Sequence, residues 1–343
     1  MKALVLENHM DLRYEEVPPP VILPNEVLLR VKAVGICGSD VHGIDGSTGR
    51  RIPPIIMGHE ASGVIEKKGD EVKDWSIGDR VTFDSTIYNL NDWYTEHGMY
   101  NLSDGRKVVG VSTEEFKKNG AFAEFVSIPQ HVLYSIPESV SFTQAALVEP
   151  AAVAMHAINV SGLQKNDVVV VVGAGMVGML VIQLLKIRGC KKIIAVDLDE
   201  HRLQLAKQSG ADSVFKPKDP ELIKTVYSHT DNRGADLAIE VVGITDTIDL
   251  AIELVRKGAT ITLVGNISPD ITLPLQKIVT RQLRLQGSCA INGEYSEILK
   301  LIAEKKLDVT TILSAEAPLS EGAEWFKRLY RKEKDLMKVI LKP

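Results

Sequence analysis

The feature that most constrains the fold is an apolar run followed at once by closely spaced glycines. Five consecutive valines occupy positions 168–172, and Gly173, Gly175 and Gly178 come directly after them. A second apolar run then ends at Asp197. This order predicts a buried strand, a tight turn, a helix and a second, parallel strand. Such a βαβ unit confines this part of the chain to an α/β fold built on a parallel sheet.

The same alternation of strand and helix patterns continues well beyond that unit. The predicted strands are 168–172, 193–197, 213–215, 236–240, 259–264 and 284–287, and the predicted helices are 176–188, 200–209, 220–228, 246–256 and 274–281. Six strands joined by five crossover helices are typical of a doubly wound sheet.

The segment before residue 151 has a different character. Short β-branched runs, separated by Pro, Gly and Asp turns, predict a strand-rich domain. After residue 287 the pattern predicts two further helices and a closing strand. The runs in question are 26–33, 61–66, 80–83 and 122–128 near the start, and 294–304, 320–331 and 337–341 near the end.

The glycine pattern also predicts what binds at the turn. Gly173 makes the turn, Gly175 lets the backbone approach a pyrophosphate, and Gly178 lets the helix pack closely on the sheet. The N-terminus of that helix offers free N–H groups to a diphosphate. Asp197 lies 24 residues after Gly173, where a carboxylate accepts hydrogen bonds from an adenosine ribose. We therefore expect a dinucleotide cofactor.

The choice between NAD and NADP depends on the charges near that ribose. The carboxylates of Asp197 and Asp199 repel a 2′-phosphate, whereas Arg202 is a group to which a phosphate could bind. NAD is therefore the predicted cofactor and NADP the alternative. The other predicted cofactor contacts within the alternating region are Met176, Val177, Val242, Val264 and Gly265.

The composition excludes several classes of protein. The 343 residues carry a net charge of −5 without a basic stripe, so neither nucleic acid nor an anionic membrane is an expected partner. The first residues turn polar too soon for a signal peptide, and no apolar run is long enough to span a bilayer. Three cysteines, at 37, 190 and 289, cannot form a disulfide framework. These observations predict a cytoplasmic protein.

Four potential metal ligands lie before the alternating region. Cys37 opens Cys-Gly-Ser-Asp-Val-His, His59 and Glu60 lie in Met-Gly-His-Glu-Ala-Ser-Gly, and Glu149 lies in Val-Glu-Pro-Ala. A catalytic zinc typically takes three protein ligands of mixed sulfur, nitrogen and oxygen type and leaves a fourth position open. A thiolate, an imidazole and a carboxylate match that set. Either Glu60 or Glu149 could supply the carboxylate.

In this order the motifs resemble those of the zinc-dependent medium-chain dehydrogenases, most closely the polyol and butanediol branch. The resemblance covers essentially the whole chain, including Gly-Asp-Arg-Val at 78–81 and the closing segment 338–343. It implies a GroES-like, β-barrel-type domain for zinc and substrate, formed by 1–150 and 287–343, and a Rossmann domain for NAD, formed by 151–286. It also implies a dimer or tetramer joined at sheet edges, with 283–287 as the candidate edge strand.

The resemblance implies a role for each site residue. Zinc lowers the pKa of a bound hydroxyl, and a histidine near neutral pH can release its proton to solvent. A residue beside the zinc histidine would hold one tautomer of its ring. The implied zinc ligands are Cys37, His59, Glu60 and Glu149; the implied catalytic residues are Ser39, His42 and Glu60; Asp40 would orient His59; and Cys289 and Ile291 would lie near the nicotinamide.

A second metal site of many relatives is altered here. Where they carry four cysteines around a structural zinc, this chain has Asn89, Asp92, Thr95 and Ser103. Structural zinc selects Cys and His, so we expect one catalytic zinc per chain. Packing and hydrogen bonds around Trp93, Tyr94 and Tyr100 would hold this lobe instead.

The resemblance implies oxidation of a secondary alcohol, of a polyol or sugar derivative, to the ketone. Gly43 replaces an aromatic residue of polyol dehydrogenases, and Ala290-Ile291 replace an Arg-Tyr pair, so sorbitol itself is not singled out. Arg50 and Arg51 either approach the substrate cleft, which would suit an anionic or phosphorylated alcohol, or are solvated.

Two other functions are weighed against alcohol oxidation. One is a zinc-free reductase of the same fold, against which Cys37, His59 and Glu149 argue. The other is a non-catalytic dinucleotide-binding protein, against which the pair of Ser39 and His42 argues.

Overall fold

The computed structural model describes residues 1–343, which divide into two compact units. The first unit comprises Met1–Glu149, Ile291–Lys305 and Ile312–Pro343. The second comprises Pro150–Ala290 and Lys306–Thr311. None of the helices combines the length and the apolar character needed to cross a membrane.

Short strands dominate the first unit. Before the second unit these are β1 (Lys2–Asn8), β2 (Asp11–Glu16), β3 (Glu26–Gly35), β4 (Ile55–Ile56), β5 (Glu60–Lys68), β6 (Arg80–Phe83), β7 (Thr86–Ile87), β8 (Lys107–Val108), β9 (Val111–Ser112), β10 (Lys117–Lys118), β11 (Phe125–Pro129) and β12 (Leu133–Ser135). The helices among them are α1 (Gly38–Gly43), α2 (Trp93–Glu96) and α3 (Phe142–Ala146), with 3₁₀ turns at Tyr100–Leu102 and Gln130–Val132.

The second unit contains the regular alternation that the sequence predicts. Its strands are β13 (Val168–Val172), β14 (Lys192–Val196), β15 (Ser213–Phe215), β16 (Ala235–Glu240), β17 (Val255–Leu263) and β18 (Arg284–Gly287). Its helices are α5 (Met176–Arg188), α6 (Glu200–Gln208), α7 (Pro220–Ser228), α8 (Thr245–Leu254) and α9 (Leu275–Thr280), preceded by α4 (Val148–Val160), which begins two residues before the unit does.

The chain then returns to the first unit. It adds α10 (Tyr295–Ala303), β19 (Leu313–Pro318), α11 (Gly322–Tyr330) and β20 (Lys338–Lys342), with a 3₁₀ turn at Leu319–Glu321. Another 3₁₀ turn, at Val309–Ile312, belongs mostly to the second unit. The main sheet of this unit has seven strands in the order β12-β6-β5-β3-β20-β19, and β11 pairs with β3. Strand β3 reads Glu-Val-Leu-Leu-Arg-Val-Lys-Ala-Val-Gly and is almost wholly buried, as a central strand should be.

Two strand pairings bring residues from the early and the last parts of the chain together at β3. Gly35, at the end of β3, is opposite Glu60 of β5 and Ile340 of β20. The start of β5 and the start of β20 therefore meet at the same end of β3. Apolar side chains from all three strands, including Leu29, Ile65 and Leu341, belong to one buried cluster that fixes this register.

The second unit is a six-stranded parallel sheet in the order β15-β14-β13-β16-β17-β18. Strand order reverses between β13 and β16, and ligands of doubly wound sheets bind at the carboxyl ends of the strands beside such a point. All five valines of β13 are buried, which explains their continuous apolar run. The prediction of a doubly wound parallel sheet is confirmed.

Most bounds in the second unit match the sequence-based prediction to within one residue, and the larger differences are a helix that was not predicted, α4, and the junction of α8 with β17. Helix α4 is absent from the sequence-based prediction; its Pro150 lies in the first turn, where proline costs no hydrogen bond. Helix α8 ends at Leu254 rather than 256, and β17 begins at once with Val255. The pairing of Val255 with Ala235 extends the strand backwards over residues that fit the helical period.

Candidate functional site

Three of the predicted metal ligands come together in the first unit. Ligand atoms of Cys37, His59 and Glu60 all lie within 4.8 Å of one another. His59 is 6% exposed and Glu60 is fully buried, and the Nδ1 atom of His59 and the Oε1 atom of Glu60 have no hydrogen-bond partner. Buried polar atoms without partners are rare and need an explanation. A thiol, an imidazole and a carboxylate in this arrangement fit a zinc ion.

The local backbone explains how these side chains are presented. Cys37 is the N-cap of α1, and the Asp40 carboxylate accepts from the Cys37 N–H group at 3.4 Å. Glu60 begins β5, opposite Gly35. A Cβ atom at position 35 would lie 2.3 Å from Glu60 Oε2, so only glycine leaves room for the carboxylate.

Asp40 connects the cysteine and the histidine. Its Oδ1 atom lies 3.6 Å from His59 Nδ1 and accepts from Arg51 Nη2 at 2.7 Å. Burial alone would raise the pKa of Asp40, but His59 and Arg51 outweigh it and hold that pKa well below its usual range. Burial alone would lower the pKa of His59, but Asp40 and Cys37 raise it well above the ordinary value. An ionised carboxylate thus faces the Nδ1 side of the imidazole, where zinc sites commonly carry an orienting group, but no hydrogen bond joins the two atoms at this distance.

Arg51 corrects the sequence-based expectation. We considered it as a ligand for an anionic substrate or as a solvated side chain, yet it is only 3% exposed and is paired with Asp40. Its neighbour Arg50 is exposed. The charge of Arg51 is therefore neutralised inside the protein by Asp40, and no substrate anion is needed for that purpose.

Lys338 is a site residue that the sequence analysis missed. It begins β20, is fully buried, and donates to Glu60 Oε2 at 2.6 Å and to the Ile36 carbonyl at 2.9 Å. Burial alone would lower the pKa of this lysine, but Glu60 and Cys37 raise it. The only sequence signal was a lysine at the start of an apolar closing strand. The pairing leaves Oε1 of Glu60 free to bind a metal.

Glu149 is not part of the three-residue cluster. It is partly buried in the first turn of α4, and its Oε1 atom lies 3.5 Å from Ser85 Oγ. Burial raises the pKa of Glu149 to about 7; His59 lowers it and Glu60 raises it further. A second carboxyl group within electrostatic reach of His59 and Glu60 is consistent with a role as an alternate ligand.

The two predicted proton-transfer residues lie on α1. Ser39 Oγ is 3.5 Å from Arg51 Nη2, at the outer limit of a hydrogen bond. His42 is exposed, and its carbonyl accepts from Ser47 Oγ at 3.2 Å. The helix thus carries a hydroxyl beside the buried Asp40–Arg51 pair and an imidazole in contact with solvent.

The glycine motif of the second unit forms the turn that was expected. Gly173 has φ of +98°, and a Cβ atom at Gly178 would lie 2.0 Å from the Gly173 carbonyl oxygen. Around Gly175 a Cβ atom would meet nothing within 4 Å. Met176 and Val177 open α5, whose first N–H groups have no acceptor within the helix. These free donors and the open space beside Gly175 fit a diphosphate group.

Asp197 follows β14 and is tied to this turn. Its carboxylate accepts from the Ala174 N–H group at 2.7 Å and from the Asp199 N–H group at 2.9 Å. Asp199 in turn caps α6 by accepting from the N–H group of Arg202 at 3.0 Å. Arg202 itself is exposed on that helix. Two carboxylates and one arginine therefore surround the position of the predicted ribose.

Glu240 is a second residue that the sequence analysis missed. It ends β16 at the point where strand order reverses, and its buried Oε1 atom accepts from the N–H groups of Val242 and Gly243 at 2.8 Å. Burial raises the pKa of this carboxyl group, although the same hydrogen bonds lower it. Glu240 fixes the loop that carries the predicted contact Val242. An acidic residue ending an apolar strand was the available signal.

The remaining predicted cofactor residues fall into two groups. Val264 and Gly265 follow β17 and donate to the Glu240 carbonyl, and a Cβ atom at Gly265 would lie 2.2 Å from the Val242 carbonyl carbon. Cys289 is a partly exposed cysteine, outside any disulfide, near the end of the second unit. Ile291 is 1% exposed and belongs to the first unit.

The positions that replace four cysteines form a hydrogen-bonded group. Asp92 accepts from the N–H groups of Thr95 and Asp104, both at 2.8 Å, and from the Ser103 hydroxyl. Ser103 Oγ also accepts from the Asn89 N–H group at 3.0 Å. The lobe thus has its own cross-links through these side chains.

Comparison with known proteins agrees with this geometry. The family "Alcohol dehydrogenase GroES-like domain" matches residues 23–138, and the family "Zinc-binding dehydrogenase" matches residues 176–304. Sorbitol dehydrogenase from Homo sapiens is 33% identical over 95% of this chain and 91% of its own. The chain belongs to the zinc-dependent medium-chain dehydrogenases. This membership confirms the predicted family, the fold class and an alcohol dehydrogenase that uses zinc and a nicotinamide cofactor.

Solved structures of this dehydrogenase family resemble the chain along its whole length. Alcohol dehydrogenase TADH from Thermus sp. ATN1 superposes with a TM-score of 0.93 at 30% identity, covering 100% of this chain and 99% of its own. 2R,3R-butanediol dehydrogenase from Bacillus subtilis superposes with a TM-score of 0.88 at 29% identity, again covering 100% and 99%. The names of these relatives agree with the polyol and butanediol branch predicted from the sequence.

Proposed function

We propose that this dehydrogenase oxidises a secondary alcohol of a polyol or sugar derivative to the ketone, with NAD as hydride acceptor. The observation that carries the proposal is the meeting of Cys37, His59 and Glu60 within 4.8 Å. The names sorbitol dehydrogenase and butanediol dehydrogenase support the substrate class, because both alcohols carry secondary hydroxyl groups next to another hydroxyl.

The first unit would hold the zinc and the substrate. Cys37 Sγ, an imidazole nitrogen of His59 and Glu60 Oε1 would be the ligands, with Glu149 as an alternate carboxylate. Zinc, when bound, would polarise the substrate hydroxyl and lower its pKa. Asp40 would keep the His59 ring in one tautomer, and Lys338 would hold the second oxygen of Glu60.

Ser39 and His42 would move the proton that the alcohol loses. The Ser39 hydroxyl would accept it while giving up its own proton, which would be passed on to the exposed imidazole of His42 and from there to solvent. Histidine suits this step because its ordinary pKa of about 6.5 lies near neutral pH. A His42→Ala variant should therefore lose turnover near neutral pH and retain its zinc.

The second unit would bind NAD rather than NADP. Gly173, Gly175 and the N-terminus of α5 would receive the pyrophosphate, and Asp197 would accept from the ribose hydroxyls. The charges of Asp197 and Asp199 oppose a 2′-phosphate, whereas Arg202 favours one. We expect kcat/KM with NAD to exceed kcat/KM with NADP. In an Asp197→Ala variant the ratio of these two values should be smaller. A preference for NADP in the unmodified protein would contradict this part of the proposal.

We further propose that the chain holds one zinc ion. The hydrogen bonds that join Asp92, Ser103 and Asn89 support a lobe that needs no metal. Elemental analysis of the purified protein should give about one zinc per chain, lost together with activity in a Cys37→Ser variant. Two tightly held zinc ions per chain would refute the single-site proposal.

The deciding experiment is a screen for NADH production across polyols, diols, amino alcohols and sugar-alcohol phosphates, with and without a chelator. We expect activity with at least one vicinal secondary alcohol, abolished by the chelator and restored by zinc. Full activity in Cys37→Ser would favour a zinc-free reductase of the same fold. Inactivity of the wild type across all alcohols would favour a non-catalytic dinucleotide-binding protein.

We also propose a homo-oligomer joined through the second unit. Strand β18 ends the six-stranded sheet, and Leu275 and Val279 on the adjacent α9 are 69% and 67% exposed. An open strand edge beside exposed apolar residues is typical of a surface that pairs with another copy. We also propose a cytoplasmic location, supported by three cysteines that form no disulfide.

A further inference from the structure

Arg51 is buried at a place where an arginine is costly. Its side chain is 3% exposed, and both Nε (3.2 Å) and Nη2 (2.7 Å) donate to Oδ1 of the fully buried Asp40. Nη1 donates to the Arg50 carbonyl at 2.9 Å. Removing two opposite charges from water usually costs as much as their attraction returns. The pair is therefore poorly explained by fold stability alone.

The path of the side chain depends on Gly43. A Cβ atom at position 43 would lie 2.5 Å from Arg51 Cγ, so any other residue would displace the arginine. The φ angle of Gly43 is not in the left-handed region, and glycine is thus required here for space and not for backbone conformation. The backbone of Arg51 is anchored on its other side by a bridge to Ser112.

Asp40, the partner of Arg51, touches two candidate zinc ligands. Its Oδ2 atom accepts from the Cys37 N–H group at 3.4 Å, and its Oδ1 atom lies 3.6 Å from His59 Nδ1. The Nη2 atom of Arg51 is also 3.5 Å from Ser39 Oγ. One guanidinium group therefore reaches, directly or through a single carboxylate, the backbone of Cys37, the imidazole of His59 and the hydroxyl of Ser39.

We propose that Arg51 is a positioning residue of the zinc site, which it reaches because Gly43 has no side chain. Arg51 holds the Asp40 carboxylate in the orientation that aligns Cys37 and His59, and it orients the Ser39 hydroxyl. This inference rests on the proposed function, because it assumes that Cys37 and His59 bind zinc.

The test compares Arg51→Met and Arg51→Lys with the wild type as full-length protein. Zinc affinity is measured by competition with a chromogenic chelator, NADH affinity by fluorescence, and folding by circular dichroism. We expect Arg51→Met to bind zinc about 10- to 100-fold more weakly, the usual effect of losing a group that orients a ligand. Arg51→Lys should recover part of this loss, and the NADH affinity of both variants should not change.

Turnover gives a second readout. At saturating zinc we expect kcat of Arg51→Met to stay lowered, because Ser39 has lost its neighbour, while KM for NAD stays unchanged. Arg13→Met is the matched control, since Arg13 makes a similar two-pronged pair with Asp11 on the surface. That variant should retain wild-type zinc affinity and kcat.

Gly43 tests the route independently. Gly43→Ala and Arg51→Ala should each show the loss of zinc affinity expected for Arg51→Met, and the double variant should be no worse than Arg51→Ala alone. If the two single effects add fully, the proposed dependence of Arg51 on Gly43 is wrong.

The outcomes separate this inference from the proposed function. A wild-type chain that takes up no zinc overturns both. A zinc-binding, active wild type together with a folded Arg51→Met variant of unchanged zinc affinity and kcat overturns only the role of Arg51. A ten-fold or larger loss of zinc affinity with intact folding and NADH binding supports it.

Discussion

At the scale of single residues, the candidate zinc centre is defined by buried charges that are individually paired. Asp40 has Arg51, and Glu60 has Lys338. In each pair the basic and the acidic residue come from different segments of the chain, so the ion pair also connects those two segments. Buried pairs of this kind add little net stability, but breaking one leaves an uncompensated charge.

A Lys338→Met variant should show the effect of such an uncompensated charge as a loss of stability. With Glu60 left unpaired in the interior, we expect the free energy of unfolding of metal-stripped protein to fall by about 3–5 kcal/mol. Saturating zinc should reduce the deficit, because the cation neutralises Glu60. Denaturant unfolding with and without zinc measures both effects. Lys224→Met is the control, since its pair with Glu221 is exposed and an exposed pair adds little to stability. Equal deficits with and without zinc would contradict the proposed ligation by Glu60.

Asp84 predicts a pH dependence of stability. Burial raises its pKa to about 6, even though the Thr86 N–H group and the Tyr100 hydroxyl, at 2.8 and 2.7 Å, lower it. Since the folded pKa exceeds the unfolded value of about 4, Asp84 contributes stability below about pH 4 and loses this contribution as pH rises through 6.

An Asp84→Asn variant should not lose stability in this way as the pH rises. An amide can accept from Thr86 and donate to Tyr100 Oη, so the hydrogen bonds have replacements. The free energy of unfolding of the variant minus that of the wild type should be about 2 kcal/mol larger at pH 7.5 than at pH 4.5. Urea unfolding at the two pH values measures the change. A difference that does not vary with pH would mean that Asp84 titrates normally.

At the scale of elements, the turn between β13 and α5 contains two glycines that are needed for different reasons. Gly178 is needed for packing, since a Cβ atom there would meet the Gly173 carbonyl oxygen at 2.0 Å. Gly175 faces open space, and its φ of −75° suits any residue. The first is thus required by the fold, and we propose that the second is required by the cofactor.

Two alanine variants distinguish these roles. Gly178→Ala should destabilise the protein by about 1–3 kcal/mol through overpacking. Gly175→Ala should leave stability within about 0.5 kcal/mol of the wild type but weaken NADH binding at least ten-fold, because its methyl group occupies the approach of the pyrophosphate. Thermal unfolding and NADH fluorescence titration measure the two effects. Unchanged NADH affinity in Gly175→Ala would argue against a pyrophosphate at this turn.

At the scale of the whole molecule, the exposed edge of the second unit predicts its association. Leu275→Lys/Val279→Lys should place two charges on the proposed contact and shift the protein toward monomer, by analogy with the charges that natural edges use against pairing. Light scattering after size-exclusion chromatography measures the mass. Ile223→Lys is the control, since Ile223 is an exposed apolar residue on α7, away from β18. A wild-type monomer would refute the proposal.

Much of the second unit could be predicted from the sequence because its signals are local. Apolar strands, helical periods and the spacing of Gly173, Gly175 and Gly178 all act over fewer than thirty residues, and β13, α5, β15, α7 and β18 have the predicted bounds. The missing α4 has a local cause, whereas the error at α8 arose because a pairing between distant residues outweighed the helical period. Pro150 is tolerated in a first turn, and Val255 is recruited into the sheet by Ala235.

The sequence by itself determined the fold class, the dinucleotide turn and the kinds of group available to a metal. The tertiary structure decided which of these groups meet. It placed Glu60 with Cys37 and His59, left Glu149 outside that cluster, paired Glu60 with a lysine 278 residues away, and buried Arg51 against Asp40. The physical reason is that pairings over such separations depend on sheet register and on space, such as that left by Gly35 and Gly43, which no local pattern of residues encodes.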